Sequence, residues 1–279
     1  MQISSETVRI IPKSFWHDPD DPEFVHDNWV DKMNSPNGYF GWAGNCPSQN
    51  YVDKFQMANG MNINESGSNY DPQNPYIDRE LRFYANIVYN GRMYRGREAE
   101  FFNGGLDSPT SSVRPWNASP TGYTLYKFMD ESVDFTTTSA PTPYIIYRLA
   151  EIYLNYAEAQ YHLGNEDEAR DYVNRVRTRA ELPEIQSSGD QLLQDIRHER
   201  SIELAFENDH RWNDLRRWEI LDQVAGDDYI KIDIEKDGSG NLTYNRITAF
   251  ERNFQPRMYS LPIPLEEIQK SSLKQNPGY

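Results

Sequence analysis

Apolar positions are spread unevenly along the chain, and their spacing divides it into three zones. Residues 1–142 show little periodicity. Their first 50 residues are rich in Asp, Asn, Pro and Gly, with Phe15, Trp16, Trp29, Tyr39, Phe40 and Trp42 scattered among them. Tyr51, Val52 and Phe55 in PSQNYVDKFQM recur at helical spacing and predict a short helix between Pro47 and Met61. NESGSNYDPQNP is loop by composition. RFYANIVYNGRMYRG predicts a strand, a turn at Asn90-Gly91 and a second short strand, and GYTLYKFMD predicts another.

Residues 143–224 are strongly periodic. Leu149, Ile152, Tyr153, Tyr156, Gln160 and Leu163 form one stripe, and Gly164 ends that helix. Asn165 is placed to cap the next helix, whose first turn carries Glu166, Asp167 and Glu168 where carboxylates suit the helix dipole. Ala169, Tyr172, Val173 and Val176 make its apolar face. Helices joined this tightly lie antiparallel. Against the tetratricopeptide pattern of about 34 residues, Ala157 and Ala169 fall at the two close-approach positions, Gly164 at the turn, and Pro183 closes the unit slightly late. One such unit cannot bury its faces alone, so more helices must flank it. A third helix is predicted with Asp190 as cap and Leu192, Leu193, Ile196, Arg200, Leu204 and Phe206 along it. A fourth spans RWNDLRRWEILDQV, with Trp212 and Trp218 expected in the core.

Residues 225–279 open with an alternation of Ile230, Ile232 and Ile234, a turn at Asp237-Gly238 and a return through Leu242 and Tyr244, which predicts a hairpin. The extended, Pro-punctuated tail carries one short helix around Leu265–Gln269. The expected fold is one mainly α domain: a tetratricopeptide-like α–α superhelical fragment with long irregular loops and short β-hairpins.

Charge narrows the functions. The 28 Lys and Arg residues face 43 Asp and Glu, a net charge of -15. Such a surface repels nucleic-acid phosphates and anionic membranes but not neutral ligands. Mean hydropathy is -0.84, so polar loop dilutes the core. Cys46 is the single cysteine, which excludes an internal disulfide and a cysteine-based zinc site. No apolar run approaches the roughly 18 residues of a membrane-spanning helix. The amino terminus lacks the basic-then-apolar layout of a signal peptide. It fits either a cytoplasmic protein or a piece of a longer one.

Catalytic and metal motifs fail on their spacing. His198-Glu199 lacks the second histidine of a zinc protease, since position 202 is Ile202. DIEKDGSGNLTY starts like a calcium loop but ends on Tyr244 where the bidentate glutamate belongs. No phosphate-binding glycine loop and no nucleophile elbow is present, so neither cofactor nor catalytic residue is assigned. Glu199, Glu203 and Glu207 step four residues apart near Arg200, Arg211, Asp214, Arg216 and Arg217. They suit an ion-pair ladder between helices better than a glycosidase pair.

Five separated motifs now converge. RLAEIYLNYAEA, IRHERSIELAFENDHRWNDLRRW and YSLPIPLEEIQKSSLKQNPGY, with PSQNYVDKF and YIDRELRFYANIVYNG upstream, resemble the carboxy-terminal part of the SusD/RagB family over residues 47–279. Glu80-Leu81-Arg82 stands where that family has Asp-Pro-Arg. The resemblance implies a nutrient-binding lipoprotein on the exterior face of the outer membrane, held by an amino-terminal lipid absent from this chain. It further implies a lid over a SusC-like TonB-dependent porin that captures glycan without cleaving it.

Rings for that task are chosen from the residues, not from the family. Sugars stack their C–H faces on aromatic rings and bond amides, carboxylates and guanidinium groups through their hydroxyls. Trp29, Tyr39 and Trp42, in a loop with Asn37 and Asn45, are the first candidates. Trp116, flanked by Arg114 and Asn117, is the next. The competing readings are buried rings, a glycoside hydrolase using loop carboxylates, and a protein-binding scaffold.

Overall fold

The structure, a computed structural model, describes residues 7–11, 29–137 and 144–279; Phe15 and Trp16 lie outside them. Strand β1 (Thr7–Ile11) pairs antiparallel with β6 (Tyr144–Arg148), which leads directly into the helical zone. Between them the chain forms α1 (Trp29–Asn34), α2 (Gln49–Val52) and α3 (Leu81–Asn86). The same stretch holds the two-residue strands β2 (Ile87–Val88), β3 (Met93–Tyr94), β4 (Arg97–Glu98) and β5 (Thr124–Leu125). Ser48 caps α2 by accepting from the Tyr51 amide at 3.2 Å, which fixes the start of the predicted helix.

The predicted hairpin over RFYANIVYNGRMYRG does not form. RFYAN belongs to α3, β2 pairs with β5, and β3 pairs with β4. Phe, Tyr, Ile and Val gave this stretch the composition of a strand. The buried set Arg82, Phe83, Asn86 and Ile87 nevertheless follows helical spacing, and packing decided the conformation. Phe83 and Ile87 join Val52, Phe55, Tyr94 and Tyr123 in a core that also takes Ile202, Ile232 and Ile234. The loop-rich zone is thus built around aromatic rings of its own.

Helices α4 (Leu149–His162), α5 (Glu166–Arg179) and α6 (Gly189–Glu203) form the second core. Ala157 and Ala169 are fully buried where α4 and α5 approach, as their spacing predicted, and Gly164 turns between the helices with φ +82°. The face of α4 is not the predicted one. Ala150, Leu154 and Ala157 pack inward, while Ile152, Tyr156 and Leu163 stay exposed. Small side chains allow the close helix contact, so the larger apolar residues are turned outward.

Asn165 sits at the N-cap of α5, but its side chain donates to Gln160 Oε1 at 2.7 Å instead of capping. Ser188, not Asp190, holds the N-cap of α6. The predicted fourth helix is broken at Glu219, with φ +55°, into α7 (His210–Arg217) and α8 (Leu221–Ala225). The expectation of two core tryptophans is corrected as well. Trp212 is 46% exposed, and Trp218 is half-buried with its indole N–H donating to Glu158 Oε1 at 2.7 Å. Helix α7 buries only Asp214 and Leu215, and the Trp212 ring lies at the cleft with the Arg216 guanidinium 5.4 Å from it.

The predicted carboxy-terminal hairpin is β7 (Tyr229–Lys236) and β8 (Leu242–Phe250). Its turn is tied by the Asp237 carboxylate, which accepts from the amides of Ser239 and Asn241. The short tail helix is α9 (Leu265–Lys270).

Candidate functional site

Two loop segments that are distant in sequence meet at the surface. Asn37 donates its side-chain amide to the carbonyls of Leu106 at 3.2 Å and Val113 at 2.7 Å. Arg114 donates to the Phe40 carbonyl and Asn117 to the Gly41 carbonyl, both at 3.4 Å. Gly41 passes against the Ser35 backbone where any Cβ would collide. Phe40, Ala43 and Arg114 all sit in the left-handed region, with φ of 65°, 44° and 43°. Non-glycine residues pay on the order of 1–3 kcal/mol each for that conformation, and such strain clusters at functional sites.

The structure separates the six sequence-chosen residues. Trp116 is 78% exposed at the tip of a short 3-10 turn, Pro115–Asn117, with Arg114 immediately before it. Phe40, absent from the chosen set, is 50% exposed and lies 5.0 Å from the Arg114 guanidinium. Trp42 is half-buried under the Lys32 ammonium, 4.9 Å from its ring. Tyr39 faces inward: its hydroxyl donates to the Arg97 carbonyl at 3.1 Å, and its ring packs edge-on against Tyr94 at 4.8 Å. Burial holds that hydroxyl protonated well above its ordinary range. Asn45 is exposed and bonds Asn34 Oδ1 at 2.8 Å. Trp29 begins α1, and its side chain lies outside the described residues.

Beside these loops lies a cleft of about 740 Å³, whose walls include Asn45, Tyr51, Phe206, Arg211, Trp212 and Tyr229. Phe206, placed in a helix by the sequence pattern, lies beyond the end of α6. In the turn from Phe206 to Asp209, Phe206, Asn208 and Asp209 all have positive φ. That turn leaves Phe206 exposed, edge-on to Tyr51 at 5.3 Å. Cys46 also lines the cleft; its thiol donates to the Ala43 carbonyl at 2.9 Å, and burial pushes it up to about 11.

The three stepped carboxylates are all engaged by cations. Arg82 reaches Glu199 at 2.5 Å and Glu203 at 3.2 Å, and it also pairs with Glu80 at 2.7 Å. Arg148 holds Glu203 at 2.9 Å and Glu207 at 2.8 Å, Arg179 reaches Glu203 at 2.6 Å, and Lys127 bonds Glu207. Burial alone would raise the Glu203 carboxyl, but Arg179, Arg148, Arg82 and Lys127 outweigh it and hold the group down to about 2. Glu199 is fully buried. A general acid must keep its proton near neutral pH and reach its substrate. Glu203 fails the first requirement and Glu199 the second. Next to them, burial drives His198 down to about 4, and its Nε2 has no hydrogen-bond partner among the described residues.

Residues 20–279 match the model of the SusD family. The chain belongs to that family. A SusD-like protein of Formosa agariphila is 36% identical over 132 residues, which cover 45% of this chain and 22% of that one. A crystal structure of a SusD-like protein from Bacteroides fragilis superposes with a TM-score of 0.78 at 29% identity, covering 98% of this chain and 54% of its own. A SusD-like carbohydrate-binding protein from the same species gives 0.75 at 25% identity, over 95% and 53%. The chain therefore spans about half the length of these solved SusD proteins. Its Glu80-Leu81-Arg82 keeps the charge pair of the family triplet, at 2.7 Å, and puts Leu81 at the first position of α3, where Pro is also well suited.

Proposed function

We propose that this SusD-family chain captures glycan at the exterior face of the outer membrane, without cleaving it, and passes it to a TonB-dependent porin. The observation that carries the reading is the meeting of Phe40, Trp42, Arg114 and Trp116 on two strained, hydrogen-bonded loop segments. Exposed rings gain nothing from folding, and strained backbone persists only where its surroundings fix it. Rings stack on sugar C–H faces, and the guanidinium and amide groups beside them meet hydroxyls. The carbohydrate-binding description of one solved relative agrees with this. Affinity electrophoresis and calorimetry with a panel of polysaccharides test it: retardation by at least one glycan and no release of reducing sugar are expected. Failure to bind any glycan would remove the reading, and sugar release would turn it into a hydrolase.

Docking to the porin has one observation in its favour. Ile152 and Tyr156 on α4, with Leu163 at its end, present an exposed apolar stripe, next to Tyr172, whose ring lies tilted against Tyr156 at 4.4 Å. Co-purification of the porin that is lost in Ile152→Ser with unchanged sugar affinity is the expected result.

A further inference from the structure

We infer that Lys32 and Arg114, the two cations seated on the ring-bearing loops, are specificity-determining residues that select glycan carrying a carboxylate or sulfate on its sugar rings. The inference rests on the glycan-capture reading and narrows its substrate to acidic polysaccharide.

Three aromatic residues of one loop each lie under a cation. The Arg97 guanidinium is 3.7 Å from the Tyr39 ring, the Arg114 guanidinium 5.0 Å from Phe40, and the Lys32 ammonium 4.9 Å from Trp42. Over the inward-facing Tyr39, the charge of Arg97 is spent: it donates to both oxygens of Asp107, at 2.8 and 2.9 Å. Arg114 and Lys32, both half-buried, make no ion pair with any described residue. Arg114 gives up a single donor, in the 3.4 Å bond to the Phe40 carbonyl. A ring face positions a cation without cancelling its charge, so both remain available to an anion. A guanidinium donates in parallel to two oxygens of a carboxylate or sulfate, and an ammonium adds a compact point charge.

The acids of these loops are turned away from the surface. Segments 29–45 and 103–119 contain one acidic residue each, Asp31 and Asp107. Both are buried, and each is held at 2.8 Å by an arginine of the β3–β4 hairpin, Arg95 and Arg97 respectively. Acids packed behind them are engaged as well: Glu100 accepts from the Leu106 amide at 3.1 Å, and Glu131 from the Arg95 amide at 2.9 Å. In a chain of net charge -15, the two segments therefore present two cations at the surface and no acid of their own. At physiological ionic strength a field fades within about 8 Å, so an anion bound here meets these cations before the net charge. The rings fit the same ligand. Phe40 and Trp42 are two residues apart, as are Arg114 and Trp116, which keeps each pair of Cα atoms within about 7 Å. Trp116 is 78% exposed and touches no ring or cation among the described residues, so a sugar can stack on it beside the charge of Arg114.

The test is calorimetry on the chain with three oligosaccharides of equal length: an oligogalacturonate, a sulfated galactan and a neutral galactan. At least one acidic probe is expected to bind about tenfold or more tightly than the neutral one, and which of the two does so identifies the anion. Arg114→Gln and Lys32→Gln, each confirmed folded by circular dichroism, should bring the acidic probe down towards the affinity of the neutral one. Lys274→Gln, which removes the same charge from the exposed carboxy-terminal tail, should leave the ratio of the two affinities as it was. Raising salt from about 50 to about 500 mM should weaken the acidic probe alone. Equal affinity for all three probes overturns the selection and leaves glycan capture standing. So does an acidic preference that survives both loop substitutions or falls as far in Lys274→Gln. Binding of none of the three also overturns it, and glycan capture falls with it only if the wider panel of polysaccharides fails too.

Discussion

Two arginines show how differently the helical zone and the loop zone hold a charge. Arg82 is clamped among Glu80, Glu199 and Glu203, with almost no exposure, at the point where α3 meets α6. Arg114 lies half-buried on strained backbone, with one long bond to the Phe40 carbonyl and the Phe40 ring beneath it. The first arrangement fixes helices relative to each other. The second leaves donor groups and ring faces directed outward. Rigidity and recognition are therefore carried by different residues, and substitutions should separate them.

The largest effect is expected in the clamp. Arg82→Met strands buried carboxylates and should cost about 3–5 kcal/mol, read as a lower urea midpoint, whereas Arg114→Met should cost under about 1 kcal/mol. Equal costs would erase the contrast. Acid should come next. The folded-state pKa of His198 is about 4, below its ordinary 6.5, so only the unfolded chain takes up that proton as pH falls from 6.5 to 4 and stability declines there. Glu203 is held near 2 against an ordinary 4.5, so its contribution is full above 4.5 and is lost as pH falls through 2. Thermal melts should fall across both windows, and His198→Gln should flatten the upper one, worth on the order of 3 kcal/mol.

Smaller still is the effect expected at the rings. Trp116→Ala and Phe40→Ala should each weaken glycan binding by about 1–2 kcal/mol in calorimetry and leave the melting temperature unchanged. Tyr39→Phe sharpens the comparison from within the same loop. It removes one internal hydrogen bond, about 1 kcal/mol of stability, and should leave affinity untouched.

What the sequence disclosed follows from how local the deciding physics was. The Gly164 turn, the Ala157–Ala169 contact and the β7–β8 hairpin depend on neighbours in the chain, and their spacing announced them. Helix α3 was concealed because its aromatic and branched residues pack on Phe55 and Tyr89, and that contact outweighed their strand preference. The outward face of α4 was concealed because alanines took the interior. In the candidate site, the exposure of Trp116 was legible from its Pro-, Asn- and Arg-rich surroundings. The opposite fates of Tyr39 and Phe40 were not, since they depend on Arg97 and Arg114, some 60 to 70 residues away.

Cys46 gives the molecule a built-in clock. As the sole thiol, kept protonated and bonded to Ala43, it should react slowly with an alkylating reagent while the segment carrying Trp42 stays seated on α1. The alkylation rate then counts how often that segment lifts, and a ligand spanning both the rings and the cleft would slow the count.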